Sequence, residues 1–150
     1  MINVFNTSFE MSIRVLLILN SAKDPLSIDR IAAIDFITIY GKDFDISNEN
    51  LHGNNSYRFS EFTSKREIAT KALKELVLRK YVKVVCNKSG FSYKMTEVGE
   101  KYCESLNDEY ASAFSINVQT AISKFENKSD RKIINFINEK AVLMFGGSLV

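Results

Sequence analysis

Few residues in this chain have chemistry to offer. His52 is the only histidine, and Cys86 and Cys103 are the only cysteines, in 150 residues. An acid and base pair built on histidine, or a multi-histidine metal site, is therefore excluded, and the two cysteines lack the CxxC spacing of a zinc or redox motif. Asp29 and Asp35 are not spaced to share a helix face, so with Asp24 they read as solvated groups or partners of Arg30 and not as metal ligands. There is no GxxxxGK[ST] loop, and Gly146-Gly147 near the C-terminus cannot supply one. What remains is charge. Between Ser64 and Lys94 nine basic residues (Lys65, Arg66, Lys71, Lys74, Arg79, Lys80, Lys83, Lys88 and Lys94) face only Glu67 and Glu75, in a chain whose net charge is +2. Such a stretch is the footprint of a phosphate contact, with Lys71, Lys74, Lys83 and Lys88 as candidate nucleic-acid-binding residues; a solvated charged face is the equal alternative. No catalytic residue, cofactor or metal is expected.

The elements that must position these lysines follow from periodicity. Apolar residues at Ala69, Ala72, Leu73, Leu76 and Val77 have helical spacing. The period then changes, and Val82 and Val84 answer Phe91, Tyr93 and Met95 across Asn87-Lys88-Ser89-Gly90, which predicts a hairpin whose Gly takes a positive φ. Thr96 is placed to cap a following helix, with Glu97 at its positive end. Helix, hairpin, helix is the second half of a winged helix-turn-helix. The first half is present too. Thr7 or Ser8 caps a helix carrying Phe9, Ile13, Leu16, Leu17 and Asn20 at helical spacing, and Asp24-Pro25 ends it. Ser27 caps a second helix to Tyr40, with Ile31, Ile34, Phe36 and Ile39 inward and Gly41 as its left-handed end residue.

A simple DNA reader joins its second and third helices by a turn of about three or four residues. Here Lys42 to Phe59 intervenes, and the anchors Phe44, Ile46, Leu51, Tyr57 and Phe59 predict an ordered loop packed on the domain. After the wing, a helix from Glu97 to Asn107 is expected to turn Val98, Tyr102 and Leu106 inward. Glu109 to Glu126 carries a narrow seam of Tyr110, Phe114, Val118, Ala121, Ile122 and Phe125. Ser129 caps a last helix with Ile133, Ile134, Ile137 and Ala141, and the apolar tail Val142-Leu143-Met144-Phe145 either closes the core or docks on a partner. The expected fold is mainly α with a β-hairpin wing. A winged-helix domain spans 1–107, with an insert at 42–59 before the third helix and a wing at 81–95, and a helical extension, 108–150, packs on the same unit. A chain of this length buries roughly two thirds of its unfolded surface without metal or disulfide. No signal peptide opens it, and its most apolar run, Val15 to Leu19, is far shorter than the ~20 residues that cross a bilayer. A cytoplasmic protein with free thiols is the expectation.

The order of several short motifs resembles a family. Phe5-Asn6-Thr7-Ser8-Phe9-Glu10, Arg14, Leu26-Ser27-Ile28-Asp29-Arg30-Ile31 and Ile34-Asp35-Phe36 are similar to the second type of middle component of bacterial ABC-three-component systems. So are Asn50-Leu51-His52, Tyr57-Arg58-Phe59-Ser60-Glu61, Arg66-Glu67, Gly90-Phe91-Ser92-Tyr93, Thr96-Glu97 and Tyr110-Ala111, so that the resemblance covers most of residues 5 to 115. The long insert is part of that pattern. Beyond about Phe114 the chain departs from it, with Asn117 near the position of an Arg and no Trp anywhere.

The resemblance implies a winged-helix adaptor that works beside an SMC- or Rad50-like ATPase that senses DNA and an effector nuclease, as in Lamassu-type defence against phage and plasmids; the basic set Lys71, Lys74, Lys83 and Lys88 makes double-stranded DNA a candidate further contact. On that reading Leu51, His52, Tyr57, Arg58 and Glu61 shape a partner-binding surface in and beside the insert. Arg58 is available for a bidentate carboxylate contact, while Arg14 and Arg30 are candidates for internal pairs that hold the surface. The rival reading is a free-standing regulator that dimerises through the seam Tyr110 to Phe125. A toxin or antitoxin has little to support it, since no catalytic set is present.

Overall fold

Thr7 opens the first helix. Its hydroxyl accepts a hydrogen bond from the Glu10 amide at 3.2 Å, and α1 runs over Ser8–Ser21. The computed structural model describes residues 7–53, 58–88 and 90–149, with side chains to 143. Burial on α1 does not follow the predicted stripe: Met11, Arg14 and every residue from Val15 to Leu19 are buried, while Phe9 is 66% exposed and Asn20 is exposed. The helix is enclosed by its neighbours α2, α3 and α5, so more than one of its faces is covered.

Ser27 caps α2 (Ile28–Ile39) by accepting from the Arg30 amide at 3.1 Å. Every residue from Ile31 to Ile39 is buried, so α2 is the central helix. Gly41 is not the left-handed end residue expected of it. The chain continues there into a 3-10 turn, Gly41–Phe44, and Asp45 takes the left-handed conformation with φ 59°. Gly41 answers a different demand, because a Cβ there would overlap the Ser47 hydroxyl and approach Ile46 Cγ1 to 2.9 Å.

The third helix, α3, spans Arg58–Leu78, so Arg58 and Phe59 belong to it and not to the insert. It closes with Lys80 at φ 66° and a hydrogen bond from the Tyr81 amide to the Leu76 carbonyl at 3.0 Å. The wing is β1 (Val82–Asn87) antiparallel to β2 (Gly90–Met95), with Val82 opposite Met95, Val84 opposite Tyr93 and Cys86 opposite Phe91. Gly90 has φ 120°, as the hairpin requires. Leu26 exchanges backbone hydrogen bonds with Tyr93 at 3.0 and 2.8 Å and so ties the turn before α2 to the wing.

Thr96 caps α4 (Glu97–Glu104) by accepting from the Gly99 amide at 3.1 Å. This helix stops short of Asn107, and its buried face is Gly99 and Cys103. Val98, expected inward, is 54% exposed. The extension consists of α5 (Glu109–Phe125) and α6 (Asp130–Leu149). The α5 seam is buried through Phe114, Val118, Ala121 and Phe125, and α5 packs on α1 and α2 while α6 packs on α2. Arg30 clamps the turn between them, donating to Asp130 at 2.7 Å and to the carbonyls of Phe125 and Lys128. Val142 and Leu143 are 69% and 72% exposed, so this part of the tail does not close the core. The fold is a mainly helical winged helix-turn-helix with a hairpin wing and a C-terminal helical extension.

Candidate functional site

Three charges meet in the interior. Arg14 on α1 and Lys65 on α3, each 1% exposed, converge on Asp35 of α2, which is fully buried. Arg14 Nε donates to Asp35 Oδ1 at 2.7 Å, and Lys65 Nζ lies 3.2 Å from Oδ2. Burial pushes the Asp35 carboxyl upward, but Arg14 and Lys65 outweigh it and hold the group below its ordinary value. Burial weighs against the Arg14 charge and is overcome by Asp35, whereas for Lys65 burial prevails and its ammonium pKa is lowered. The expectation that Asp35 is solvated or paired with Arg30 is thus corrected, as is the counting of Lys65 in an exposed basic stretch. The inference that Arg14 and Arg30 make internal pairs agrees with the geometry. Asp29 does not pair with Arg30 but with Arg66, at 2.7 Å.

The insert is laid over this cluster. His52 Nε2 is 2.8 Å from the Tyr110 hydroxyl on α5, with the two rings stacked at 6.1 Å, and the edge of Tyr40 stands 6.3 Å away. Burial, then the nearby Arg14 charge, lowers the His52 pKa to about 3, so the ring is neutral at neutral pH. Tyr40 donates to Glu61 at 2.7 Å, and burial followed by that bond raises its phenol pKa. Arg58 grips Asp43 with two bonds, Nε to Oδ2 at 2.5 Å and Nη2 to Oδ1 at 2.9 Å. The bidentate carboxylate contact for which Arg58 is suited is therefore made within the chain. Leu51 donates its amide to the Ile39 carbonyl at 2.8 Å and packs partly on the core. From α5, Lys124 reaches the Phe44 carbonyl at 2.6 Å, and the Phe44 ring meets Phe36 edge-to-face and Phe59 and Phe136 at a tilt. Of the five candidate partner-binding residues, Leu51, His52, Arg58 and Glu61 are brought together around Tyr40 and the 3-10 turn. Tyr57 lies outside the described residues.

Among the described residues no group of three or more His, Cys, Asp or Glu is placed to hold a metal ion, and no helix is long and apolar enough to cross a membrane. Among the clefts that the described residues form, two lie between several elements of the fold. One, of about 630 Å³, lies between the wing, the turn before α2, and α5; the other, of about 460 Å³, lies between α1, α3 and α4. Neither is lined by a histidine or a cysteine. The sequence pattern of the ABC-three component (ABC-3C) system Middle Component 2 family matches residues 4–145. The chain belongs to that family. No curated protein and no solved structure matches it.

The Middle Component 2 match reaches well past Phe114, where the motif-by-motif resemblance fades, and takes in α5 and the described side chains of α6. The insert, the buried cluster and the extension thus lie inside one family pattern. The basic residues of this Middle Component 2 chain sort into two kinds. Lys65, Arg66 and Lys71 stand on α3 and Arg79 in the turn that follows it, and each has a carboxylate partner: Asp35, Asp29, Glu67 and Glu75. Lys74, Lys83 and Lys88 are exposed and make no ion pair among the described residues. Sequence reasoning missed the Asp35 cluster. The available signal was the run Ile31 to Ile39, apolar around its whole circumference, in which a lone carboxylate has to find cations.

Proposed function

We propose that this chain is a non-catalytic adaptor of an SMC- or Rad50-like ATPase complex in bacterial defence against phage or plasmids, of the Lamassu kind. It links the ATPase to an effector nuclease and contacts double-stranded DNA. The observation that carries this reading is the match to a system's middle component along residues 4–145. The insert supports it. Leu51, His52, Tyr57, Arg58 and Glu61 form the partner-binding region, in which Arg58, His52 and Glu61 act from beneath by fixing the loop that a partner meets. Lys71, Lys74, Lys83 and Lys88 are the proposed nucleic-acid contacts. The fold alone does not choose between DNA reading and protein docking. A regulator that dimerises through the α5 seam is disfavoured, because Phe114, Val118 and Ala121 are 0% exposed within the single chain.

The test is co-purification of the tagged chain expressed with its neighbouring genes, followed by size exclusion and mass identification. The adaptor reading expects a large ATPase in stoichiometric amount. A chain that emerges alone, or only as a homodimer, overturns it. A Tyr57→Ala, Arg58→Ala variant that leaves both assembly and defence intact removes the insert from the interface.

A further inference from the structure

The wing differs from α3 in one respect that bears on how a nucleic acid would be held. The solvent side of α3 carries Glu67 and Glu75, which pair with Lys71 on the same helix and with Arg79 in the turn just after it, at 3.8 and 2.8 Å. A phosphate approaching that face meets carboxylates as well as cations. From Lys80 to Thr96, by contrast, the sequence contains no Asp or Glu at all.

Within the hairpin, Val82 and Met95 are buried against the domain, so their neighbours Lys83 and Lys94 stand on the opposite, outward face. Lys83 and Lys94 are direct cross-strand partners and both are exposed. Two like charges facing each other across a ladder destabilise a hairpin, and no carboxylate among the described residues offsets them. The same side continues through Val85 and Ser92, both half-buried, and through Asn87 opposite Gly90, with Lys88 at the tip. The exposed apolar residues Val84 and Phe91 belong to the other face.

From these observations we infer that the outward face of the wing, through Lys83, Lys94 and Lys88, is the surface that holds the phosphate backbone of duplex DNA, and that α3 does not enter a groove. This rests on the nucleic-acid half of the adaptor reading and narrows it: of the four lysines proposed there, Lys83 and Lys88 hold the backbone, while Lys71 and Lys74 on α3 do not. Charge selects a polyanion. The composition of the face selects a backbone over an acidic protein, because Ser and Asn beside Lys are phosphate-contacting types, whereas the aromatic anchor that a protein interface would use is on the opposite face. The rise from Lys83 to Lys88 spans about 17 Å at ~3.3 Å per residue, enough to reach phosphates on both sides of a major groove about 12 Å wide. Contacts of this kind carry no base readout, so binding is independent of sequence and steeply dependent on salt.

The experiment is fluorescence anisotropy of the full chain on several unrelated duplexes of about 30 base pairs across a salt series. A Lys83→Gln, Lys94→Gln double variant is expected to weaken binding equally on every duplex. It should also reduce the magnitude of the log affinity against log salt slope by about 1.8, at 0.9 per lost contact. A Lys71→Gln, Lys74→Gln variant is expected to keep the slope. Lys94→Glu sets a carboxylate opposite Lys83, so it should raise Tm while lowering DNA affinity, an opposition that loss of fold cannot produce. If the α3 variant takes the loss and the wing variant does not, the inference is overturned while the DNA contact stands. If the unmodified chain fails to bind duplex even at low salt, the DNA contact itself falls and the inference with it. Loss of the ATPase from wing variants in co-purification would then identify an acidic protein face as the occupant.

Discussion

Asp35 is the residue on which the most unfavourable transfer in this molecule depends, because its single negative charge compensates two buried cations. Removing that charge takes from Arg14 and Lys65 the counter-charge they share in the interior, whereas removing Lys65 still leaves Asp35 paired with Arg14. Asp35→Asn is therefore expected to cost about 3–5 kcal/mol, and Lys65→Met much less, since Met fills similar volume without a charge. Urea unfolding of both variants decides the matter; equal costs would mean that Lys65 is the essential partner. His52 adds a pH dependence whose sign is fixed by its lowered pKa. Between an ordinary 6.5 and about 3 the unfolded chain binds a proton that the folded one does not, so stability falls as pH drops through that window. The slope from this group is at most about 1.4 kcal/mol per pH unit. Denaturation midpoints at about pH 7, 6 and 5 should fall less steeply in His52→Gln than in the unmodified chain, and parallel slopes would show that the ring is not held neutral. None of this was legible residue by residue. A pairing over the 21 positions between Arg14 and Asp35 has no local signature, and His52 in a stretch rich in Asn and Gly reads as a surface group until α5 is placed over it.

Elements were legible where their cause is local. Thr7, Ser27 and Thr96 cap as their types and positions dictate, and the hairpin register follows from alternation together with the positive φ of Gly90. What failed was the choice of face on short or enclosed helices. On α4 a stripe through Val98 fits the helical period, but the helix lies so close to the base of the wing that only Gly fits at the contact. A Cβ on Gly99 would overlap the Tyr81 carbonyl oxygen and come within 2.9 Å of Met95 Sδ. The carbonyl is backbone and is held by the Thr96 amide at 3.1 Å, so it cannot retreat cheaply. Gly99→Ala would gain about 1 kcal/mol of helix propensity in isolation. The overlap is expected to outweigh this and destabilise the protein by about 1–3 kcal/mol, with the loss appearing as a lower Tm. A neutral or stabilising result would mean that α4 can move off the wing without cost.

For the molecule as a whole, what matters is where the α5 seam is spent. Tyr110, Phe114, Val118, Ala121 and Phe125 recur at a spacing that serves equally for an intramolecular helix pack or a dimer, and periodicity cannot tell them apart because both bury the same stripe. The structure resolves this through partners distant in sequence: α1 and α2 cover the seam, Arg30 clamps the α5–α6 turn, and Lys124 ties α5 to the 3-10 turn. The consequence can be tested with a single charge. Val118 is 0% exposed, so Val118→Asp places an unpaired carboxylate inside the monomer and is expected to cost more than about 4 kcal/mol, with loss of helical circular dichroism at moderate temperature. A dimerisation seam would respond differently, yielding a folded monomer in light scattering with its far-ultraviolet spectrum intact. Because the seam is consumed within the chain, the surfaces we propose for other molecules, the wing and the insert, lie on separate elements, as do the exposed Phe9 of α1, Ile116 of α5 and Val142 and Leu143 of α6. The adaptor role we propose needs that separation, since each partner would have to be held without displacing the other.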